Sequence, residues 1–285
     1  MSADETTAYG LDDDRWSEEE AGPEDEILDR AWEALDAGEP EAALAVLAEL
    51  DPDWPERWIP EALARTELGD LRAARASLDR AGKFEEFVDH PDYLWAAGSL
   101  YLREWRIEEA RLALEKLVAI ERSAATVDRL SLCAELAGDL ELADRLLAEA
   151  AALDPTNPAP PRLDAEYFES VITEAIESLP AEFREPLESI EVIVEPVPAA
   201  WMIDPSDPAE TPPDLLGLFV GASQIDSSEY DNASLPSRIF LFQRNLERAA
   251  KDHDDLVEQI RVTLFHEIGH LLGFDEEGVA EMGLE

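Results

Sequence analysis

Basic residues are scarce in this chain: 22 lysines and arginines stand against 68 aspartates and glutamates in 285 residues, a formal net charge of −46. A field of that sign repels phosphate backbones and anionic headgroups, so nucleic acid and membrane surfaces are excluded as expected partners. It favours solubility in salt and, among partners, basic ones. There is one cysteine, Cys133, which cannot form an internal disulfide, and a disulfide-stapled scaffold is thereby excluded. No apolar run reaches the roughly 18 residues a membrane-spanning helix needs. The start, Met1-Ser2-Ala3-Asp4-Glu5, is acidic and has no apolar segment behind it, so no signal peptide is expected and the expected location is cytoplasmic. Histidine is rare as well, with four in the chain, and two of them fall within five residues of each other.

That stretch is Val262 to Glu285, VTLFHEIGHLLGFDEEGVAEMGLE, and it contains H-E-x-x-H-x-x-G as His266, Glu267, His270 and Gly273. On a helix His266 and His270 are one turn apart, about 6 Å at Cβ, a spacing that suits two imidazoles sharing one tetrahedral Zn²⁺. Glu267 then flanks the metal as the general base that takes a proton from metal-activated water and passes it to a leaving amine. The preceding residues support a helix. Asp255-Leu256-Val257-Glu258 fits a capping box, and Leu256, Ile260, Leu264, Ile268 and Leu271 form a helical stripe. Gly273 should end that helix and turn the chain back toward the metal. Asp275, Glu276, Glu277 and Glu281 lie within reach. Glu276, ten residues after His266, fits the third-ligand place, while Asp275 and Glu277 stay open as alternatives.

From about Ala165 to its end the chain resembles the small bacterial zincin-like metallopeptidases, with their signature H-E-I-G-H-x-x-G-x-x-(D/E). It is carried by His266-Glu267-Ile268-Gly269-His270-Leu271-Leu272-Gly273 and then Glu276. Two upstream pieces are also similar to that family, Gly217-Leu218-Phe219-Val220-Gly221 and Pro236-Ser237-Arg238-Ile239-Phe240-Leu241-Phe242. The resemblance covers about 120 of 285 residues and implies a compact α/β zincin fold, a zinc cofactor and a peptide or protein substrate. It also implies that a strand ahead of the active helix can pair with extended substrate, which makes Gly217 to Gly221 a candidate edge. Only nine residues follow Glu276, so Met282 is read as packing and not as the methionine turn of larger zincins.

Residues 1–25 carry Asp12-Asp13-Asp14 and Glu18-Glu19-Glu20 with few apolar residues and read as an acidic disordered tail in which Trp16 is solvated. From 26 to 154 the chain is helical and repetitive. Gly38 with Ala43, Gly69 with Ala74, Trp105 with Ala110 and Gly138 with Ala143 recur, and the alanines are 31, 36 and 33 residues apart, near the roughly 34-residue tetratricopeptide period. Residues 155–163 form a proline-rich, semi-rigid linker, and 164–285 the metallopeptidase-like domain. In that domain Phe168, Val171, Ile172, Ala175, Ile176 and Leu179 mark a helix closed by Pro180. Strands are expected at Ile190 to Val194, Leu215 to Ala222 and Arg238 to Phe242, separated by the long loops 196–214 and 223–236. Trp201 and Met202 are read as core fillers, and His90 and His253 as poor ligand candidates.

The expected fold class is α+β: an all-α tetratricopeptide-like solenoid followed by a small α/β zincin-like domain. The expected function is a zinc-dependent metallopeptidase with Glu267 as catalytic base and His266, His270 and Glu276 as ligands, joined to repeats that bind a protein partner. The competing expectation is a non-catalytic scaffold or adaptor whose repeats bind a protein partner and whose C-terminal metal site is structural or vestigial.

Overall fold

A computed structural model describes residues 22–185, 187, 190–204, 208–221 and 237–274. The expected acidic tail up to residue 21, the loop 223–236, and Asp275, Glu276, Glu277, Glu281 and Met282 lie outside them. Gly22 and Pro23 open the first helix, two residues before the expected end of the tail.

Helical hairpins fill the first half of the described chain. Their helices are α1 (Pro23–Asp36), α2 (Pro40–Leu47), α3 (Trp58–Glu67), α4 (Leu71–Ala81), the short α5 (Glu85–Val88), α6 (Pro91–Arg103), α7 (Ile107–Ile120), α8 (Ala124–Leu136) and α9 (Leu140–Leu153). Four tight turns join α1 to α2, α3 to α4, α6 to α7 and α8 to α9. Each passes through one residue of positive φ: Gly38 at 73°, Gly69 at 75°, Trp105 at 57° and Gly138 at 82°. That conformation lets the next amides reach back to the last helical carbonyls. Gly138 N–H donates to Glu135 O and Asp139 N–H to Ala134 O, both at 2.9 Å, which satisfies groups a helix end otherwise leaves unpaired. Asp70 and Asp139 then cap the second helices of their hairpins, accepting from Ala73 N–H and Leu142 N–H. Ala43, Ala74, Ala110 and Ala143 have no exposed surface. A larger side chain at these positions would hold the paired helices apart.

Cys133 on α8 is buried in this half, and burial pushes its thiol up to about 12. It is a packing residue rather than a nucleophile.

Residues 155–163 form no helix or strand, yet Leu163 is buried in the second core. That core is built on a small sheet in the order β1-β3-β2. Strand β1 (Glu191–Glu195) runs parallel to β3 (Arg238–Phe242), with Glu191 opposite Arg238. Strand β2 (Gly217–Val220) runs antiparallel to β3, with Gly217 opposite Leu241. Strands β2 and β3 fall within the stretches expected of them, and β1 lies one residue later than expected. Central β3 sends Ile239 and Leu241 toward α10 (Ala165–Ser178) and α13 (His253–Leu272), where they meet Phe168, Ile172, Leu256, Ile260 and Leu264. Between α10 and α13 in the chain come α11 (Ala181–Arg184) and α12 (Gln243–Ala249). Trp201 packs its ring edge on Phe240 at 5.7 Å but stays 66 % exposed. It is a partial cover on the sheet and not the core filler expected. The architecture is α+β, and among the described residues no helix is long and apolar enough to cross a membrane.

Helix α12 and the segment before β2 carry the contacts between the halves. Arg248 on α12 bonds Asp128 at 2.6 Å, Glu135 at 2.7 Å and Ser131 at 2.9 Å, all on α8. Arg244 and Arg162 share Asp144 of α9. Partial burial pushes the Asp144 carboxyl up, but the two guanidinium groups outweigh it and hold the carboxyl below its usual range. The indole N–H of Trp105 donates to Thr211 O at 2.8 Å, and Arg103 holds Asp214 at 3.1 Å.

Candidate metal centre

Helix α13 begins one turn earlier than the sequence suggested. Its N-cap is Asp252, whose carboxylate accepts from Asp255 N–H at 2.9 Å, while Asp255 accepts from Lys251 N–H at 2.8 Å. The cap expected at Asp255 therefore lies three residues earlier: Asp252 caps α13, and Asp255 reaches back to the amide that precedes the cap. His253 is the first residue of the helix and is exposed. His90 caps α6, far along the chain. The helix buries Leu256, Ile260, Leu264, Ile268 and Leu271, and this anchored stripe fixes which residues face the other way.

At its last turn the helix ends on Gly273, whose φ of 91° and ψ of 18° place it in the left-handed region. Phe274 N–H then reaches Gly269 O at 3.0 Å. The same turn brings the Phe274 carbonyl to 3.2 Å from His270 Nδ1. A carbonyl can only accept, so Nδ1 carries the hydrogen and Nε2 keeps its lone pair.

That lone pair faces His266. The two Nε2 atoms are 3.0 Å apart, with the rings nearly perpendicular at 83°. Two corners of a tetrahedron whose metal–nitrogen bonds are about 2.0–2.1 Å long would be about 3.3 Å apart. Without a cation, His266 Nε2–H can donate to His270 Nε2. With one, both nitrogens can turn their lone pairs to it with little movement. The donor set is imidazole, and a carbonyl orients one ring, so these residues fit a zinc-type metal.

Glu267 is buried, at 7 % exposure, on the side of α13 that meets β2. A Cβ added to Gly217 would lie 2.9 Å from Glu267 Oε1 and 2.7 Å from Thr263 Cγ2. Gly217, the first residue of β2, therefore leaves the space that the Glu267 and Thr263 side chains fill. The sequence marked Gly217 as part of an edge strand. It did not show this close approach, since strand and motif are about 50 residues apart and nothing local couples them. The tautomer-setting carbonyl of Phe274 was equally hidden, because it is backbone.

His266, Glu267 and His270 thus come together at one end of α13. Glu276 lies outside the described residues, and among those described no group of three or more histidines, cysteines, aspartates or glutamates is placed to hold a metal.

Comparison with known families agrees with this chemistry. Residues 187–284 match the family described as zincin-like metallopeptidase. That span holds all three strands, α12, α13 and the motif. It begins after α10, although α10 packs in the same core. The zincin-like segment therefore borrows one of its covering helices from outside the matched span. No curated protein matches the chain.

Proposed function

We propose that the chain is a zinc-dependent metallopeptidase in which His266, His270 and Glu276 hold the metal and Glu267 moves the proton. The observation that carries this reading is the convergence of His266 Nε2 and His270 Nε2 at 3.0 Å beside the buried Glu267 carboxylate. Zinc bound there would supply Lewis acidity and lower the pKa of a water toward about 7.

The chain's own groups account for the rest. Phe274 O holds the His270 ring in the tautomer that exposes Nε2. Glu267, pressed against the β2 backbone, has its carboxylate fixed where it can accept a proton from the attacking water and return it to the leaving amine. Strand β2 bonds to β3 along one edge and, among the described residues, is the last strand on its side of the sheet. Its other edge can take an extended peptide by strand addition, so that the substrate backbone passes Gly217 and the Glu267 carboxylate behind it.

The tetratricopeptide-like hairpins serve in this proposal as the platform that holds the metallopeptidase segment. Two elements support that role over a free partner-binding groove. Helix α8 is engaged by Arg248, and the turn after α6 is engaged by Thr211.

Replacing Glu267 by Gln tests the mechanism. The variant should bind zinc like the wild type and lose peptide hydrolysis by about 10²- to 10⁴-fold, the usual weight of a positioned acid–base group. Unchanged metal-dependent cleavage would refute the assigned role. No cleavage by either protein, over a broad peptide library, would favour the scaffold reading.

A further inference from the structure

A cavity of about 390 Å³ lies where the two halves meet, between α3, α6 and α8 on one side and the Pro213–Asp214 segment with Arg248 on the other. Its charged groups are not alike. Arg103 is matched by Asp214 and Arg248 by Asp128 and Glu135. Arg129, on α8, is enclosed in the same wall, but among the described residues no carboxylate comes within ion-pair distance of it. What it has is one hydrogen bond, to Ser99 Oγ at 2.6 Å, and the face of Trp95, 4.3 Å from the guanidinium carbon.

These two contacts fix the guanidinium plane and use one of its nitrogens, leaving the remaining N–H fork for something else. At the mouth stands Glu67, exposed and lining the same cavity. Burial pushes its carboxyl up, opposed in part by Arg129, and burial pushes the Arg129 guanidinium down. Asp128, Asp214 and Glu67 act on Arg129 through space, but among the described residues none pairs with it directly. Between Arg129 and Glu67, Leu63, Trp95, Leu102 and Leu132 supply an apolar wall.

We propose that this cavity binds a small hydrophobic zwitterion, a dipeptide or amino acid with free termini, whose carboxylate takes the fork of Arg129 and whose ammonium faces Glu67. Three features select that class. The fixed guanidinium suits a planar carboxylate, the carboxylate at the mouth suits a cation on the same molecule, and the wall suits apolar side chains. The volume lies near the lower end of the roughly 300–1,000 Å³ typical of small-molecule sites, which limits the occupant to a short one. The site is distinct from the metal centre and does not depend on the metallopeptidase reading. A ligand there would touch both α8 and the segment that leads into β2, and so would tie the hairpins to the strand beside Glu267.

Calorimetric titration of the full chain with leucyl-leucine tests the assignment, in the presence of EDTA so that metal-dependent binding is absent. The expected result is saturable binding. It should weaken roughly ten- to hundredfold in Arg129→Gln, and by a similar factor when leucyl-leucinamide replaces the dipeptide, as expected for loss of a charge-assisted pair. Glu67→Gln, an exposed change that leaves the fold intact, should weaken leucyl-leucine but leave acetyl-leucyl-leucine unaffected. No binding, equal binding by folded Arg129→Gln, indifference to both the amide and Glu67→Gln, or equally tight binding of inorganic phosphate would each overturn the proposal.

Discussion

The turn glycines of the hairpin half and Gly217 of the zincin-like half are small for opposite reasons. In the hairpin half, Gly38 and Gly138 have open space around them: a Cβ at either would meet nothing within 4 Å. They are glycine because the backbone turns through positive φ. In the zincin-like half, Gly217 sits in an ordinary strand, and a Cβ there would collide with Thr263 and Glu267. It is glycine because the side chains of Glu267 and Thr263 occupy the space. The first use repeats at the hairpin turns; the second is a close approach, which Gly98 also makes against Leu114 and Gly221 against Ser237, and at Gly217 the neighbour is Glu267. The junction between the halves uses neither device and relies on arginines held by acids.

The largest expected stability effect breaks that junction. Glu135 is fully buried and pairs with Arg248 at 2.7 Å and more distantly with Arg162 at 3.8 Å, so Arg248→Ala leaves a poorly compensated charge and should cost about 3 kcal/mol, read by denaturant unfolding. The double change Glu135→Leu with Arg248→Met should recover most of the loss, as buried pairs exchanged for apolar ones usually do. Next comes the contrast between the two kinds of glycine. Gly217→Ala should lose about 1–3 kcal/mol from overpacking. By shifting Glu267 it should also lower kcat about ten- to hundredfold. Gly138→Ala should cost about 1–2 kcal/mol from backbone strain alone and leave kcat unchanged. An equal effect of both on turnover would erase the distinction. The smallest effect concerns Trp105, which occupies the one hairpin turn without glycine and gives its indole N–H to Thr211. Trp105→Phe keeps the ring but loses that bond, and thermal unfolding should report about 1 kcal/mol.

Trp105 also shows where sequence reading stops. The glycines at 38, 69 and 138 and the alanines five residues after them display their period openly, because a repeated local need leaves a repeated local residue. Trp105 fits the period by position and departs from it by type, and only the Thr211 carbonyl 106 residues away explains the departure. The strands were legible from β-branched and aromatic runs, and the end of α13 from Gly273. Its start was misplaced by three residues, since Asp252 and Asp255 are equally good caps in isolation. His266, Glu267 and His270 were visible as a motif. What holds them was not: the Phe274 carbonyl and the bare face of Gly217 belong to the backbone, and backbone proximity leaves no letter in the sequence. Arg129 gave no signal either, for in a chain this acidic an arginine that makes no direct ion pair among the described residues can be recognised only in three dimensions.

The central claim is that His266 and His270 are placed to share one metal ion, and metal content answers it most directly. Purified protein should carry close to one zinc per chain by inductively coupled plasma mass spectrometry, and the variant combining His266→Ala and His270→Ala should carry none while keeping its helical circular dichroism. A wild-type protein that stays metal-free after zinc is offered, or a double variant that retains its zinc, would contradict the account.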